Sequence, residues 1–337
     1  MGRVKLPFAP GLEVEFTDRD RAIQQVLEWA ERSTRFPVVV FGPEGCGKTA
    51  WLKQSIEVLK EEEFGVIYLN PMRGEFLAEL GIESLRERAL NIVRQASSEH
   101  ALAKLIWSII DLARDTIKLG KGRVAVIVDD VFHLIGAREA SFLVKGLLEI
   151  IEYPPESYER IVAIAATSEG VSRREIGRHR WADVMGMWNM SREGFEKLYE
   201  KIPSPKPSFK DVWLTTGGNP WVLTQLYQVG WSADRIIKLL IGRRGLDTFT
   251  LPLNVEERRW LSEAVKNPDT LLSRERIPLL NKLVELNLVV EGITYRDLFL
   301  WIDAPPPEKD LELGIGRYIA WQTPIHREAV RRILEST

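Results

Sequence analysis

Gly42 and Gly47 stand five positions apart, with Lys48 and Thr49 directly behind them, in the run Gly42-Pro43-Glu44-Gly45-Cys46-Gly47-Lys48-Thr49-Ala50. Those residue types at that spacing suit one task, which is to wrap backbone around an anion. Glycine lets the chain curl so that successive N–H groups converge. A helix starting at the end of the run aims its unpaired amides and the positive end of its dipole at the same point. Lys48 supplies a cation able to reach the outer phosphates of a nucleotide, and the Thr49 hydroxyl is a ligand for Mg²⁺. The whole run from Gly42 to Ala50 is therefore the candidate binding segment for ATP or ADP. Cys46 sits near the helix start, where thiolate character is enhanced. The simpler reading is a small residue tolerated beside phosphate, and alkylation there is expected to interfere with nucleotide.

A triphosphate site of this kind needs an acid opposite the loop. The run Arg123-Val-Ala-Val-Ile-Val-Asp129-Asp130 reads as a buried strand ending in two carboxylates, and parallel α/β sheets bind ligands at that end of their strands. Asp129 is expected to share Mg²⁺ with Thr49, and Asp130 to polarise the attacking water, acting with Lys48 as a catalytic group. A second apolar run ends in Thr167 and Ser168; lying beside the phosphate strand, it would put Thr167 at the γ-phosphate or the water. Arg173, Arg174, Arg178 and Arg180 fall in an expected loop. A solvated basic loop is the preferred reading there, with an arginine finger the alternative.

These groups need a sheet to hold them. Short, nearly all-apolar runs at 36–41, 65–70, 123–129, 160–166 and 183–187 predict strands covered on both faces. Helical patterns at 49–60, 83–96, 101–119 and 137–153 lie between them. Alternation of this kind predicts crossovers and a mainly parallel sheet, an α/β core over residues 1–190. Beyond it the strands stop. Ser191 caps an expected helix through 202, a Pro/Ser break follows at 202–208, and helices are expected at 209–215, 220–229 and 233–241, a helical lid over 191–249. After a linker at 242–253, helices at 255–265 and 278–286, strand-like runs at 288–295, 298–301 and 316–321, and a last helix from Pro324 predict a winged-helix domain over 250–337.

Composition narrows the class. Hydrophobic residues make up 45%, charged residues 28%, and the formal net charge is −2, which argues against a polybasic nucleic-acid coat or membrane anchor. A single cysteine excludes an intramolecular disulfide and suits a reducing compartment. Four scattered histidines lack zinc-ligand spacing. Without a signal-like or membrane-length apolar run, the expected setting is the cytoplasm. Scarce Asn and Gln beside plentiful Glu, Lys and Arg hint at a hot-growing source.

Two further motifs carry a family resemblance. Phe16-Thr17-Asp18-Arg19-Asp20 is similar to a Phe-x-Gly-Arg-Glu motif, and Gly217-Gly218-Asn219-Pro220 to a Gly-x-Pro motif placed after an ATPase core. With the phosphate loop and the double acid, the chain resembles the archaeal STAND-class P-loop ATPases, relatives of AAA+ proteins, over most of its length. The resemblance implies an ATPase switch with lid and winged helix, with Arg19 and Pro220 walling the adenine pocket. Asp18 replaces the usual Gly, Asp130 stands where many relatives carry Glu, and no Arg follows Thr167-Ser168; these departures imply slow turnover. The expected winged helix offers only Asn281 and Lys282 as polar readers on 278–286, and acids outnumber Lys plus Arg after Thr250. It is therefore expected to pack on the ATPase core as a nucleotide-sensitive latch read by a protein partner or by self-association. DNA contact through Arg274 and Arg276, in a motor or loader resembling Orc/Cdc6 proteins, is the alternative, and a module that binds nucleotide without turnover is a third. His326 is read as a helix-start histidine, or as one facing nucleotide in a closed latch.

Overall fold

The computed structural model describes residues 2–79, 99–168 and 170–336. In chain order its elements are the strands β1 (Lys5–Ala9) and β2 (Leu12–Glu15), helix α1 (Asp20–Arg32), β3 (Val38–Phe41), α2 (Lys48–Glu61), β4 (Gly65–Asn70) and β5 (Glu75–Glu79). Then come α3 (Glu99–Lys118), β6 (Arg123–Asp129), α4 (Phe132–Glu152), β7 (Arg160–Thr167), α5 (Gly170–Ile176) and β8 (Asp183–Met187). The rest is α6 (Arg192–Glu200), α7 (Phe209–Thr216), α8 (Pro220–Gln228), α9 (Ala233–Arg243), α10 (Leu246–Thr250), α11 (Val255–Lys266), α12 (Ile277–Glu285), β9 (Val289–Glu291), β10 (Trp301–Ile302), β11 (Ile319–Trp321) and α13 (Pro324–Ser336). Two compact units divide the chain: Met1–Val4, Arg19–Phe41 and Lys48–Met185 form one, and Lys5–Asp18, Gly42–Gly47 and Gly186–Thr337 the other. The expected helix at 83–96 lies outside the described residues.

The first unit is a P-loop-type α/β sheet in the order β8-β3-β7-β6-β4-β5. The pairs β3–β7, β7–β6 and β6–β4 are parallel. β3 and β4 are buried at every residue, and β6 and β7 at all but the first, which is why they read as unbroken apolar runs. β5 departs from the parallel expectation. Only the 3-10 turn Pro71–Arg73 and Gly74, at φ 61, separate it from β4, too short a link for a crossover, so it pairs antiparallel. α4 starts before the expected residue 137 because the helix runs across a kink at Gly136, at φ 75 and ψ 165, that interrupts its period. Arg173 and Arg174 lie on the short helix α5 and not in the expected loop.

The second unit packs β1 and β2, helices α6–α13 and the β9–β11 ribbon around its own core, with Phe195, Leu223, Leu261, Leu283, Trp321 and Ile325 buried together. Its helices begin where side chains satisfy their free amides. Ser191 accepts from Gly194 N at 3.0 Å, Ser208 from Asp211 N at 3.2 Å and Asn219 from Val222 N at 3.1 Å, and Asn254 forms a capping box with Glu257. Inside the expected linker stands α10, anchored by buried Leu246 and Thr250. β9 pairs antiparallel with β11, Val289 facing Trp321. The expected strand at 298–301 does not join this ribbon. Leu298–Leu300 is a 3-10 turn, and Trp301 and Ile302 pair in parallel with Gly186 and Met187.

Candidate functional site

Steric demand explains the loop's glycines. A Cβ on Gly42 would lie 1.9 Å from the Met187 carbonyl oxygen, and Gly45, at φ 77, would put one 2.3 Å from Trp221 Cβ. Gly47 adopts φ 106. Two glycines with positive φ, closed by a Cys46 N to Pro43 O bond of 3.2 Å, form a concave run of amides suited to an anion. Cys46 itself is buried, its thiol 3.5 Å from the Met187 carbonyl, which agrees with the steric reading more than with a reactive thiol.

The expected Pro220 is at this loop. It opens α8 at the first turn, and its Cγ would stand 4.0 Å from a Cβ on Gly47. Trp221 N donates to Gly45 O at 3.2 Å. Asn219, buried, donates to Glu44 O at 2.8 Å and to Asn189 Oδ1 at 2.8 Å.

Around Glu44 the second unit builds a clasp that composition and spacing do not announce. Gln322 Oε1 accepts from Glu44 N at 2.8 Å. Asn287 Nδ2 donates to Glu44 Oε2 at 3.0 Å, and Arg244 pairs with the same oxygen. Gln322 Nε2 donates to Asn287 Oδ1 at 2.6 Å, which closes the ring. Burial pushes the Glu44 carboxyl up, but the Arg244 charge and the bonds from Arg244 and Asn287 prevail and hold it below its usual value. His326 is buried with Nδ1 2.7 Å from the Thr323 hydroxyl. Burial, helped by the Arg244 charge, lowers its pKa to about 4 against the pull of Glu44, so it is neutral at pH 7. No sequence rule joins residues 44, 244, 287 and 322; only the fold does.

The acid partner belongs to the first unit. Lys48, buried, opens α2, and Thr49 donates its hydroxyl to the Asp129 carboxylate. Asp129 is 2% exposed at the end of β6, and its Oδ2 also accepts from Asn70 Nδ2 at 2.8 Å and Tyr68 Oη at 3.2 Å. Burial raises its pKa and the neighbouring Asp130 charge adds to that, against the three hydrogen bonds. A buried carboxylate and a hydroxyl are the hard oxygen donors that suit Mg²⁺, so the residues fit the expected ion. Asn70 and Tyr68 were not among the expected site residues; Asn70 ends an otherwise apolar strand, the same signal that marks Asp129.

Asp130 follows at φ 57, with its N donating to Ala166 O at 3.1 Å and its side chain half-buried. β7 lies beside the phosphate strand, with Thr167, buried, opposite Phe41. Arg173 stacks its guanidinium 4.2 Å from the centre of the Phe41 ring. Arg19 is buried at the start of α1, at φ 65. Asp18, at φ 62, precedes it, a left-handed position that glycine adopts without strain and that Asp tolerates better than most residues. Of the two cations held for DNA contact, Arg276 is engaged by Glu263 at 2.7 Å, by Thr270 O at 3.1 Å and by the Trp260 face at 5.4 Å.

A family described as an ATPase domain predominantly from Archaea matches residues 16–226. No curated protein matches the chain. Among solved structures the chain is similar to the Aeropyrum pernix ORC2 protein in ADPNP-ADP complexes, at 14% identity and TM-score 0.42, covering 94% of this chain and 93% of that one. It is also similar to AMPPCP-bound DnaA from Aquifex aeolicus, at 20% identity and TM-score 0.36, covering 77% and 75%. A third similarity is to Drosophila ORC bound to DNA, at 15% identity and TM-score 0.38, covering 95% and 87%.

Proposed function

The chain belongs to the ATPase-domain family found predominantly in Archaea, and from that premise we propose that it is a slow ATPase switch of the STAND/AAA+ type. The reading divides the chain into a core over 1–190, a helical lid over 191–249 and a winged-helix domain over 250–337. The observation that carries it is the clasp on Glu44. A residue of the phosphate-binding loop is bonded to Arg244, Asn287 and Gln322, all from the C-terminal segment. Nucleotide that reshapes the loop therefore changes the energy of those bonds, and a ligand shifts such an equilibrium only through its differential affinity for the two arrangements.

In this reading the loop amides from Gly42 to Gly47 bind the phosphates and Lys48 neutralises their charge. Thr49 and Asp129 hold Mg²⁺, which when bound offsets the negative charge of the phosphate oxygens. Tyr68 and Asn70 orient Asp129. Asp130 positions the water, and its reach, shorter than that of a glutamate, slows the step. Thr167 faces the transferred phosphoryl group, and Arg19 and Pro220 flank the base. The lone buried cysteine suits a reducing, cytoplasmic setting; no helix among the described residues is long and apolar enough to cross a membrane.

The test is steady-state ATP hydrolysis at elevated temperature with and without duplex DNA. Slow turnover indifferent to DNA is expected, because α12 exposes Lys282 against Glu285 and, of the two cations held for DNA contact, Arg276 is engaged elsewhere and Arg274 is exposed. Strong stimulation by duplex would replace the switch with a loader resembling Orc/Cdc6 proteins.

A further inference from the structure

Glu44 is held by its backbone as well as by its carboxylate. Gln322 Oε1 accepts from its N–H at 2.8 Å, and Asn219 Nδ2 donates to its carbonyl at 2.8 Å. Asn189 stands behind both partners. Its Nδ2 donates to Gln322 O at 3.1 Å, and its Oδ1 accepts from Asn219 Nδ2 at 2.8 Å. Asn189 is 6% exposed, between the buried Trp188 and Met190 just past the end of β8. An amide in so apolar a run must have both ends bonded to offset its desolvation, and these two bonds do that. Because a carbonyl oxygen only accepts, the bond to Gln322 O also fixes which way the amide points. Glu44, Asn189, Asn219 and Gln322 all belong to the second unit.

The effect on the loop follows from the planarity of the peptide bond, since in a trans peptide the C=O and the next N–H point in opposite directions. Gln322 holds Glu44 N–H, so Pro43 C=O turns to the other side, where it accepts from Cys46 N at 3.2 Å. Asn219 holds Glu44 C=O, so Gly45 N–H is turned away from Asn219. Trp221 N, donating to Gly45 O at 3.2 Å, fixes the next peptide in the same manner. Glycine has the largest backbone freedom of any residue, and Gly45 at φ 77 and Gly47 at φ 106 give these planes no restraint of their own. Among the described residues Gly45 N–H donates to no protein group, which leaves it available to an anion.

We propose that Asn189 is a positioning residue for the phosphate loop: through Asn219 and Gln322 it sets the two peptide planes that flank Glu44, and so aims Gly45 N–H at the phosphates. It touches no nucleotide itself, and its role rests on the reading that this loop binds nucleotide. Donors already oriented bind a charge without first losing freedom or reorganising. Removal of the Asn189 amide therefore weakens nucleotide binding in a chain that still folds.

The experiment is calorimetric titration of Mg·ADP and Mg·ATP into the full chain, wild type and Asn189→Ala, beside thermal melts of each without nucleotide. Alanine deletes both amide bonds, and Kd for either nucleotide should rise about tenfold. A merely structural residue would lower the melting temperature and leave Kd at its wild-type value in the folded chain, and that result overturns the proposal. Asn219→Ser is the second variant. Serine caps α8 as well as asparagine does but lacks the amide that bonds Glu44 O, so Kd should rise while the melt holds. The double variant should lose less than the product of the two single losses, because both side chains act on one peptide; a full product would overturn the relay. Should Asn189→Ala not fold, Asn219→Ser decides, and wild-type Kd there overturns the proposal. Lys48→Ala run alongside separates the failures. Weak binding by Lys48→Ala beside wild-type binding by Asn189→Ala refutes the positioning role alone, whereas wild-type binding by both refutes the loop as the nucleotide site with it.

Discussion

The clasp on Glu44 can be weakened without touching a phosphate contact by Asn287→Gly. Asn287 sits at φ 52, so alanine would add backbone strain, whereas glycine accepts that conformation. The substitution deletes the 3.0 Å bond from Asn287 Nδ2 to Glu44 and removes the acceptor for Gln322 Nε2 at 2.6 Å. A bond to a charged group contributes about 1.5–3 kcal/mol and a neutral one about 1 kcal/mol. The Glu44 side chain is 40% exposed, which reduces the charged bond to about 1 kcal/mol. Together they are worth about 2 kcal/mol, or roughly thirtyfold in the clasped-to-released equilibrium. If release of the clasp precedes loss of ADP, displacement of a fluorescent ADP analogue in stopped flow should accelerate by about tenfold or more. In a Glu44→Gln background the same substitution should have a smaller effect, since the two side chains act through one contact. A folded variant releasing ADP at the wild-type rate would refute the coupling of the loop to the C-terminal segment.

Asp129→Asn should abolish the Mg²⁺-dependent part of ATP affinity while leaving Mg²⁺-free binding in place; titrations with and without the ion decide, and an unchanged Mg²⁺ effect removes Asp129 from the ion's ligands. Trp221, bonded through its N to Gly45 O, should report ATP by a fluorescence change that Trp221→Phe eliminates, and a full signal in that variant would detach α8 from the nucleotide site. His326 predicts a pH dependence. Its folded pKa of about 4 lies below the ordinary 6.5, so between those values the unfolded chain holds more protons. The stability from the neutral, buried ring is complete above pH 6.5 and is lost as pH falls towards 4, by about 3 kcal/mol. His326→Gln should flatten the difference in urea midpoint between pH 7 and pH 4.5, and equal slopes in both proteins would exclude His326 as its source.

Segments buried on both faces were the legible ones. β4 and β6 have the expected bounds, because two covered faces permit only apolar side chains and the change to polar residues is abrupt. Asn70, Asp129 and Thr167 mark that change on successive strands. Capped helices were nearly as clear, with Ser191, Ser208 and Pro220 at their starts. The hairpin of β1 and β2, the edge strand β5 and α10 escaped for the opposite reason. Each is short and only partly covered, and its pattern is set by what it packs on. Residues 298–301 show how far tertiary context overrides propensity: Phe299 and Leu298 have strand-like character, yet they stand in solvent beside a two-residue strand that pairs elsewhere. The glycines of the loop from Gly42 to Gly47 were legible because what demands them, close approach at Gly42 and Gly45 and positive φ at Gly45 and Gly47, is local. The clasp was not, since its partners come from 244, 287 and 322 and no periodicity links them.

Everything proposed for this chain depends on nucleotide being held by the loop from Gly42 to Thr49. Calorimetric titration of Mg·ATP and Mg·ADP into the wild-type chain and into Lys48→Ala decides whether it is. Saturable binding of both nucleotides at one site, weakened by a factor of ten or more in the variant, is the predicted result; wild-type affinity in Lys48→Ala, or no binding to either chain, would contradict it.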